Sequence, residues 1–239
     1  MQKPDKFNAP TKLALLGLYL ATYLSQVAYP AYSAYIQGES VLALLLPSLL
    51  FVSLLTIPSL VIGAKLGSKV NLGLVARNTN LKQSLLTTAV LGALLGSFLL
   101  ILRSELLPYL PSELPEYGFR GPVGGLLVSI GAAIGEEVWF RYGLLTLCFF
   151  AYCRVYKVNE ASRAAGLSIV VLIAFLFGLA HLPQLLSYGA NSTFAIWATI
   201  LGNVAVGILY GWSFWRYGLI AAIFAHLWVD LVLHFFPAF

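Results

Sequence analysis

Gly135-Glu136-Glu137-Val138-Trp139-Phe140-Arg141 places three ionisable residues within one of the most apolar stretches of a chain that is 60% hydrophobic, 10% charged and has a mean hydropathy of +0.87. Such a composition lies far outside the range of water-soluble domains. Working outward from this stretch, apolar segments of about 20 residues, enough to cross a hydrocarbon layer of ~30 Å, fall near 12–36, 41–64, 81–102, 122–153, 164–182, 193–212 and 217–236. Inside a bilayer every backbone polar group must be satisfied within the segment, so spans of this length and non-alternating pattern are helices. The expectation is an all-α polytopic transmembrane helical bundle of about seven spans, with a polar site inside the membrane. A charged residue at the centre of a span costs roughly 2.5 to 3.5 kcal/mol on insertion scales, so a charged cluster there calls for a function.

Lys and Arg set the expected orientation. Lys3, Lys6 and Lys12, then Lys65, Lys69, Arg77 and Lys82, then Arg154, Lys157 and Arg163, and finally Arg216 occupy alternate loops, eleven of the fourteen basic residues. The opposite side holds only Arg103 and Arg120, beside Glu39, Glu105, Glu113 and Glu116. The positive-inside rule then puts the N-terminus in the cytoplasm and, with seven spans, the C-terminus outside. The net charge of +5 follows from basic loops beside an anionic leaflet and implies no nucleic-acid partner. The first apolar stretch is too long for a cleavable signal, so it is expected to remain as a span. Cys148 and Cys153 lie about 7.5 Å apart along one helix, too far for a disulfide.

The two halves of the chain differ. Residues 1–120 read as N-terminal spans and a surface loop without a buried acid or imidazole, and residues 121–237 carry all the candidate polar groups. This asymmetry argues against an inverted-repeat carrier.

Three clusters can carry chemistry. Glu137 and Arg141 are spaced i, i+4 with the acid on the N-terminal side, the favourable order for an ion pair. Glu136 points about 100 degrees away around the helix. One carboxylate can be held ionised by Arg141 while its neighbour accepts and returns a proton, as a general base does. The second cluster is Phe177-Gly178-Leu179-Ala180-His181, with His181 near the end of the next span. The third is His226-Leu227-Trp228-Val229-Asp230, whose spacing puts an imidazole and a carboxylate on one face. Together they hold what is needed to activate water against an amide: a base in Glu136 or Glu137, imidazoles in His181 and His226, and a further polar group in Asp230. Glu136, His181 and His226, with Asp230 optional, would also suit a zinc ion with one open position, although no His-Glu-x-x-His occurs. His234 reads as structural.

Glu-Glu-x-x-x-Arg, Phe-x-x-x-His and His-x-x-x-Asp, in that order on successive apolar helices, resemble the motifs of the CPBP family, the type II CAAX prenyl endopeptidases and their prokaryotic Abi or bacteriocin-processing relatives. The Gly-rich run from Gly202 to Gly211, the turn Tyr217-Gly218-Leu219-Ile220 and, more weakly, Asn71-Leu72-Gly73-Leu74 are similar to the same family. The resemblance spans roughly 121–237 and implies a membrane-embedded endopeptidase acting on membrane-associated proteins or peptides, lipidated ones included. It implies that Glu136 or Glu137 with His181 activates water and that His226 with Asp230 holds the oxyanion, by a glutamate mechanism that requires no metal. Where the family has Asn in its last motif, that side chain can donate a hydrogen bond; an ionised Asp230 cannot. The compact chain suggests a prokaryotic plasma membrane. A scaffold or bacteriocin-immunity protein of the same family, and a proton-coupled carrier, are the competing functions. Gly92 and Gly96, Gly131 and Gly135, and Gly207 and Gly211 form Gly-x-x-x-Gly pairs that favour close helix packing within the chain, or homodimerisation.

Overall fold

Polar capping residues mark where the helices begin. In the computed structural model, which describes residues 10–76 and 79–239, Thr11, Asn80, Ser162 and Ser192 each accept a hydrogen bond from the backbone N–H three residues on, satisfying a donor that the first helical turn leaves open. The helices that follow are α1 (Lys12–Ile36), α3 (Leu81–Leu106), α6 (Arg163–Ala180) and α8 (Thr193–Tyr217), with α2 (Val41–Leu66) between the first two. The centre of the fold is a continuous helical rod in three parts, α4 (Gly121–Glu136), a π-helical segment (Glu137–Leu145) and α5 (Thr146–Val155). A short α7 (Leu182–Ser187) follows α6, and α9 (Leu219–Asp230) runs into a second π segment (Leu231–Phe235).

Six helices of the described residues are long and apolar enough to cross a membrane. The first of the seven expected spans forms as the 25-residue α1 but is not among the six: its five tyrosines, with Thr22, Ser25 and Gln26, dilute its hydropathy. The fold is turned inside out relative to a soluble protein. The most apolar stretches of α2 and α3 have a mean hydropathy of 2.4 yet are only 11% and 17% buried, while Thr56, Ser59, Ser84, Thr88, Gly92 and Gly96 face inward. Lipid tails remove any penalty for the outward Leu and Phe, so helices associate instead through close packing of small residues. Lys3, Lys6 and Arg77, used in the orientation argument, lie outside the described residues.

The three Gly-x-x-x-Gly pairs are occupied within the chain. Gly92 and Gly96 let α3 lie against the Ala225 and Val229 carbonyls of α9, Gly131 and Gly135 sit under Ser25 and Gln26 of α1, and Gly207 and Gly211 meet Ala174 and Val170 of α6. Gln26 also donates from Nε2 to the Gly131 carbonyl at 2.6 Å.

α8 and α9 join through Gly218, whose φ of +102° suits glycine alone and whose missing side chain admits the Leu74 carbonyl. The non-helical stretch after α2 closes this corner: the Leu219 and Ile220 N–H groups donate to the Gly73 and Leu74 carbonyls at 3.1 and 3.2 Å, and Ala76 N–H donates to the Tyr217 carbonyl at 3.0 Å. The first-turn donors of α9 are thereby satisfied by chain from the other half of the protein. This fixes the height at which His226 and Asp230 project.

The π segment was not visible in the sequence. In its wider turn the Arg141 carbonyl accepts from the Thr146 N–H and also from the Thr146 hydroxyl, the latter at 3.2 Å, and α2 supports the segment from behind. Trp139 Nε1 donates to Thr56 Oγ1 at 2.9 Å, Gly143 lies against Ser59, and the Tyr142 ring fills the notch at Gly63. Isolated π turns inside α-helices concentrate at functional sites, and this one begins at Glu137.

Candidate active site

Glu137, Arg141 and His226 form the buried floor of the cluster. Glu137 and Arg141 have no solvent exposure, and His226 has 3%. Glu137 Oε1 lies 3.0 Å from Arg141 Nη1 and 2.9 Å from His226 Nδ1. The Arg141 contact is close but poorly aimed, since neither its Nη1 nor its Nε makes a directed hydrogen bond among the described residues. Its Nη2 donates to the Gly207 carbonyl of α8 at 3.2 Å, and its guanidinium lies 4.5 Å from the Phe177 ring centroid and 5.2 Å from that of Tyr210. A buried arginine held by one carboxylate, one carbonyl and two aromatic faces is an anchor.

The carboxylate of Glu137 only accepts, so the shared proton belongs to His226 Nδ1, an assignment made from the geometry. That leaves His226 Nε2 facing Asp230 Oδ2 at 3.6 Å and Glu136 Oε2 at 3.9 Å. His181 repeats this logic on another helix. It caps α6, where Pro183 prevents continuation, and its Nδ1 lies 2.8 Å from the Phe177 carbonyl, which can only accept. His181 Nε2 therefore also faces Glu136 Oε2, at 4.0 Å.

The two adjacent glutamates thus occupy different surroundings. Glu137 is fully enclosed, whereas the side chains of Glu136 and His181 are 24% and 27% exposed and form the open side of the cluster. Glu136 Oε2 has no hydrogen-bond partner among the described residues. Sequence spacing put Glu137 with Arg141 and His226 with Asp230; the fold adds the cross-links between helices and gathers all six residues, Glu136, Glu137, Arg141, His181, His226 and Asp230.

Two aromatic residues complete the enclosure. The Phe177 ring touches His181 at a centroid distance of 4.6 Å and stands edge-on to Phe140 at 5.2 Å and His226 at 6.1 Å. Tyr210 stacks nearly parallel on His226, with centroids 4.2 Å apart and planes at 14°. Sequence reasoning passed over Tyr210; the signal was a tyrosine beside Gly211, inside the helix before the His-x-x-x-Asp motif. His234, read as structural, lies edge-on to the Tyr117 ring at 6.1 Å, and Cys148 and Cys153 are both free.

A tetrahedral zinc ion with bonds of 2.0 to 2.1 Å sets its N and O donors about 3.3 Å apart, closer than the 3.9 and 4.0 Å here, and among the described residues no three His, Cys, Asp or Glu side chains are grouped to hold a metal.

The fold and cluster define a class: a multi-pass helical membrane protein in which carboxylates and imidazoles from four helical segments converge in an apolar interior. Residues 119–232, which contain the whole cluster, match the family of type II CAAX prenyl endopeptidases, Rce1-like; this segment belongs to that family of proteases. No curated protein and no solved structure matches the chain.

Proposed function

We propose that the chain is an intramembrane endopeptidase in which Glu136 is the general base. The observation that carries this reading is the position of Glu136 Oε2 opposite two imidazole Nε2 atoms, each about 4 Å away and each with its Nδ1 already committed. One water oxygen at hydrogen-bond distance from both sides spans such a gap. Glu136 takes a proton from that water as its oxygen bonds to the peptide carbonyl carbon, with His181 Nε2 orienting it. The carbonyl electron pair moves onto oxygen. With Nδ1–H held by Glu137, the imidazolium Nε2–H of His226 is the donor turned toward that oxyanion. Collapse breaks the C–N bond, and Glu136 returns its proton to the leaving amine.

Arg141 acts through Glu137, which in turn holds the His226 ring by its Nδ1–H. Asp230 stands at the His226 Nε2 side and orients the ring. The substrate is a membrane-associated protein or peptide, lipidated ones included, and the enzyme resides in a prokaryotic plasma membrane with its N-terminus cytoplasmic.

The test is cleavage of a quenched-fluorescent library of membrane peptides by detergent-purified protein, comparing wild type with Glu136→Gln, each with and without chelator. Cleavage that is lost in the variant and insensitive to chelator is the expected result. Loss with chelator would replace the metal-free mechanism, and a folded wild type that cleaves nothing would remove the endopeptidase reading.

A further inference from the structure

Tyr210 is fully buried, and its hydroxyl has no hydrogen-bond partner among the described residues. Leaving a hydroxyl unpaired in an apolar interior is unfavourable, and a phenylalanine would fill the same space and keep the same stack without that cost. The orphan sits in a telling place. Its ring lies flat on His226, and its neighbours are Arg141, at 5.2 Å from the ring centroid, and Phe177. Asp230 beside it is a carboxylate and, when ionised, can only accept. The cluster therefore offers the oxyanion His226 Nε2–H and, from Asp230, no second donor.

We propose that the Tyr210 hydroxyl is that second donor: it stays unpaired in the resting protein and donates to the oxygen that becomes negative when water adds to the peptide carbonyl. This rests on the endopeptidase reading above and extends it to a residue outside the three motifs. The stack on His226, with centroids 4.2 Å apart and planes at 14°, supplies the positioning, and Phe177 and Val206 pack with Tyr210 in one buried cluster. A donor held in place before the charge develops costs no reorganisation when it does.

The experiment compares full-length wild type, Tyr210→Phe and Tyr142→Phe in detergent. Tyr142 also buries an unpartnered hydroxyl, but against Gly63 of α2, so its variant controls for the simple loss of a buried hydroxyl. Tyr210→Phe is expected to lower kcat about 100-fold, the scale for one oxyanion donor, with KM little changed and the melting temperature equal to or above that of wild type, while Tyr142→Phe keeps wild-type turnover. Binding of a peptide aldehyde, whose hydrate is tetrahedral, should weaken by a similar factor. Tyr210→Phe turning over like wild type, or binding the aldehyde equally well, would overturn the assignment while leaving the endopeptidase intact. A wild type without cleavage would remove both.

Discussion

His226 Nδ1 and Glu137 Oε1 meet at 2.9 Å across 89 positions of sequence, and this contact separates two adjacent glutamates into different roles. Glu137 is bound from both sides, by His226 and by Arg141 at 3.0 Å, whereas Glu136 stands on the open side. Glu137→Gln leaves a buried guanidinium without its counter-charge, a loss that typically costs about 3 to 5 kcal/mol. Unfolding in detergent should show that loss for Glu137→Gln and near wild-type stability for Glu136→Gln. Equal stability of the two variants would contradict the assignment of Glu137 as the anchor.

Substitutions on the glycine stripes should divide by what each added carbon meets. At Gly92 a Cβ would run into the Ala225 carbonyl, a rigid backbone atom, while at Gly17 it meets nothing. Gly92→Ala is expected to cost about 1 to 3 kcal/mol by forcing α3 away from α9. Gly17→Ala should be neutral or gain up to about 1 kcal/mol, from helix propensity alone. Thermal melting of the two variants side by side checks the contrast.

Gly218 carries two constraints at once, a φ of +102° and a 2.6 Å approach of a would-be Cβ to the Leu74 carbonyl. Gly218→Ala should therefore cost more than backbone strain of about 1 to 3 kcal/mol alone and loosen the hydrogen bonds from Leu219 and Ile220 to the 73–74 carbonyls. Hydrogen exchange at those two amides reads this directly. Unchanged protection would show that the corner does not depend on the glycine.

Trp139 and Thr56 join the π segment to α2 through one side-chain hydrogen bond of 2.9 Å. Trp139→Phe and Thr56→Val should each cost about 1 kcal/mol through the bond, with further loss of packing for the tryptophan. In a double-mutant cycle the two effects should couple, because each variant removes the same bond. Strict additivity would mean that the bond contributes nothing to stability.

How much was legible in the sequence differs from feature to feature. The starts of α1, α2, α3 and α8 were readable because an apolar run is a local signal. The end of α6 at Ala180, with His181 as its cap, follows from Pro183, although the apolar run alone carried the expected span to residue 182. The polar content of α1 was equally visible, yet a count of long apolar stretches gave about seven spans where six helices of the described residues meet the hydropathy of a membrane segment. The π segment left no sequence mark, because its wider turn is stabilised by what α2 presents to it.

The sequence by itself determined that this chain is a bundle of membrane-spanning helices and which residues share a helical face, such as Glu137 with Arg141 and His226 with Asp230. Hydrocarbon thickness, backbone satisfaction and the 3.6-residue repeat all act within one segment. Only the tertiary structure decided that His226 reaches Glu137 while both Nε2 atoms turn to Glu136, that Tyr210 covers His226, and that residues 73–76 brace the start of α9. Those outcomes depend on the relative height and rotation of helices far apart in the chain. These are set by glycine contacts such as Gly92 on Ala225 and Gly207 on Ala174, which no local periodicity encodes.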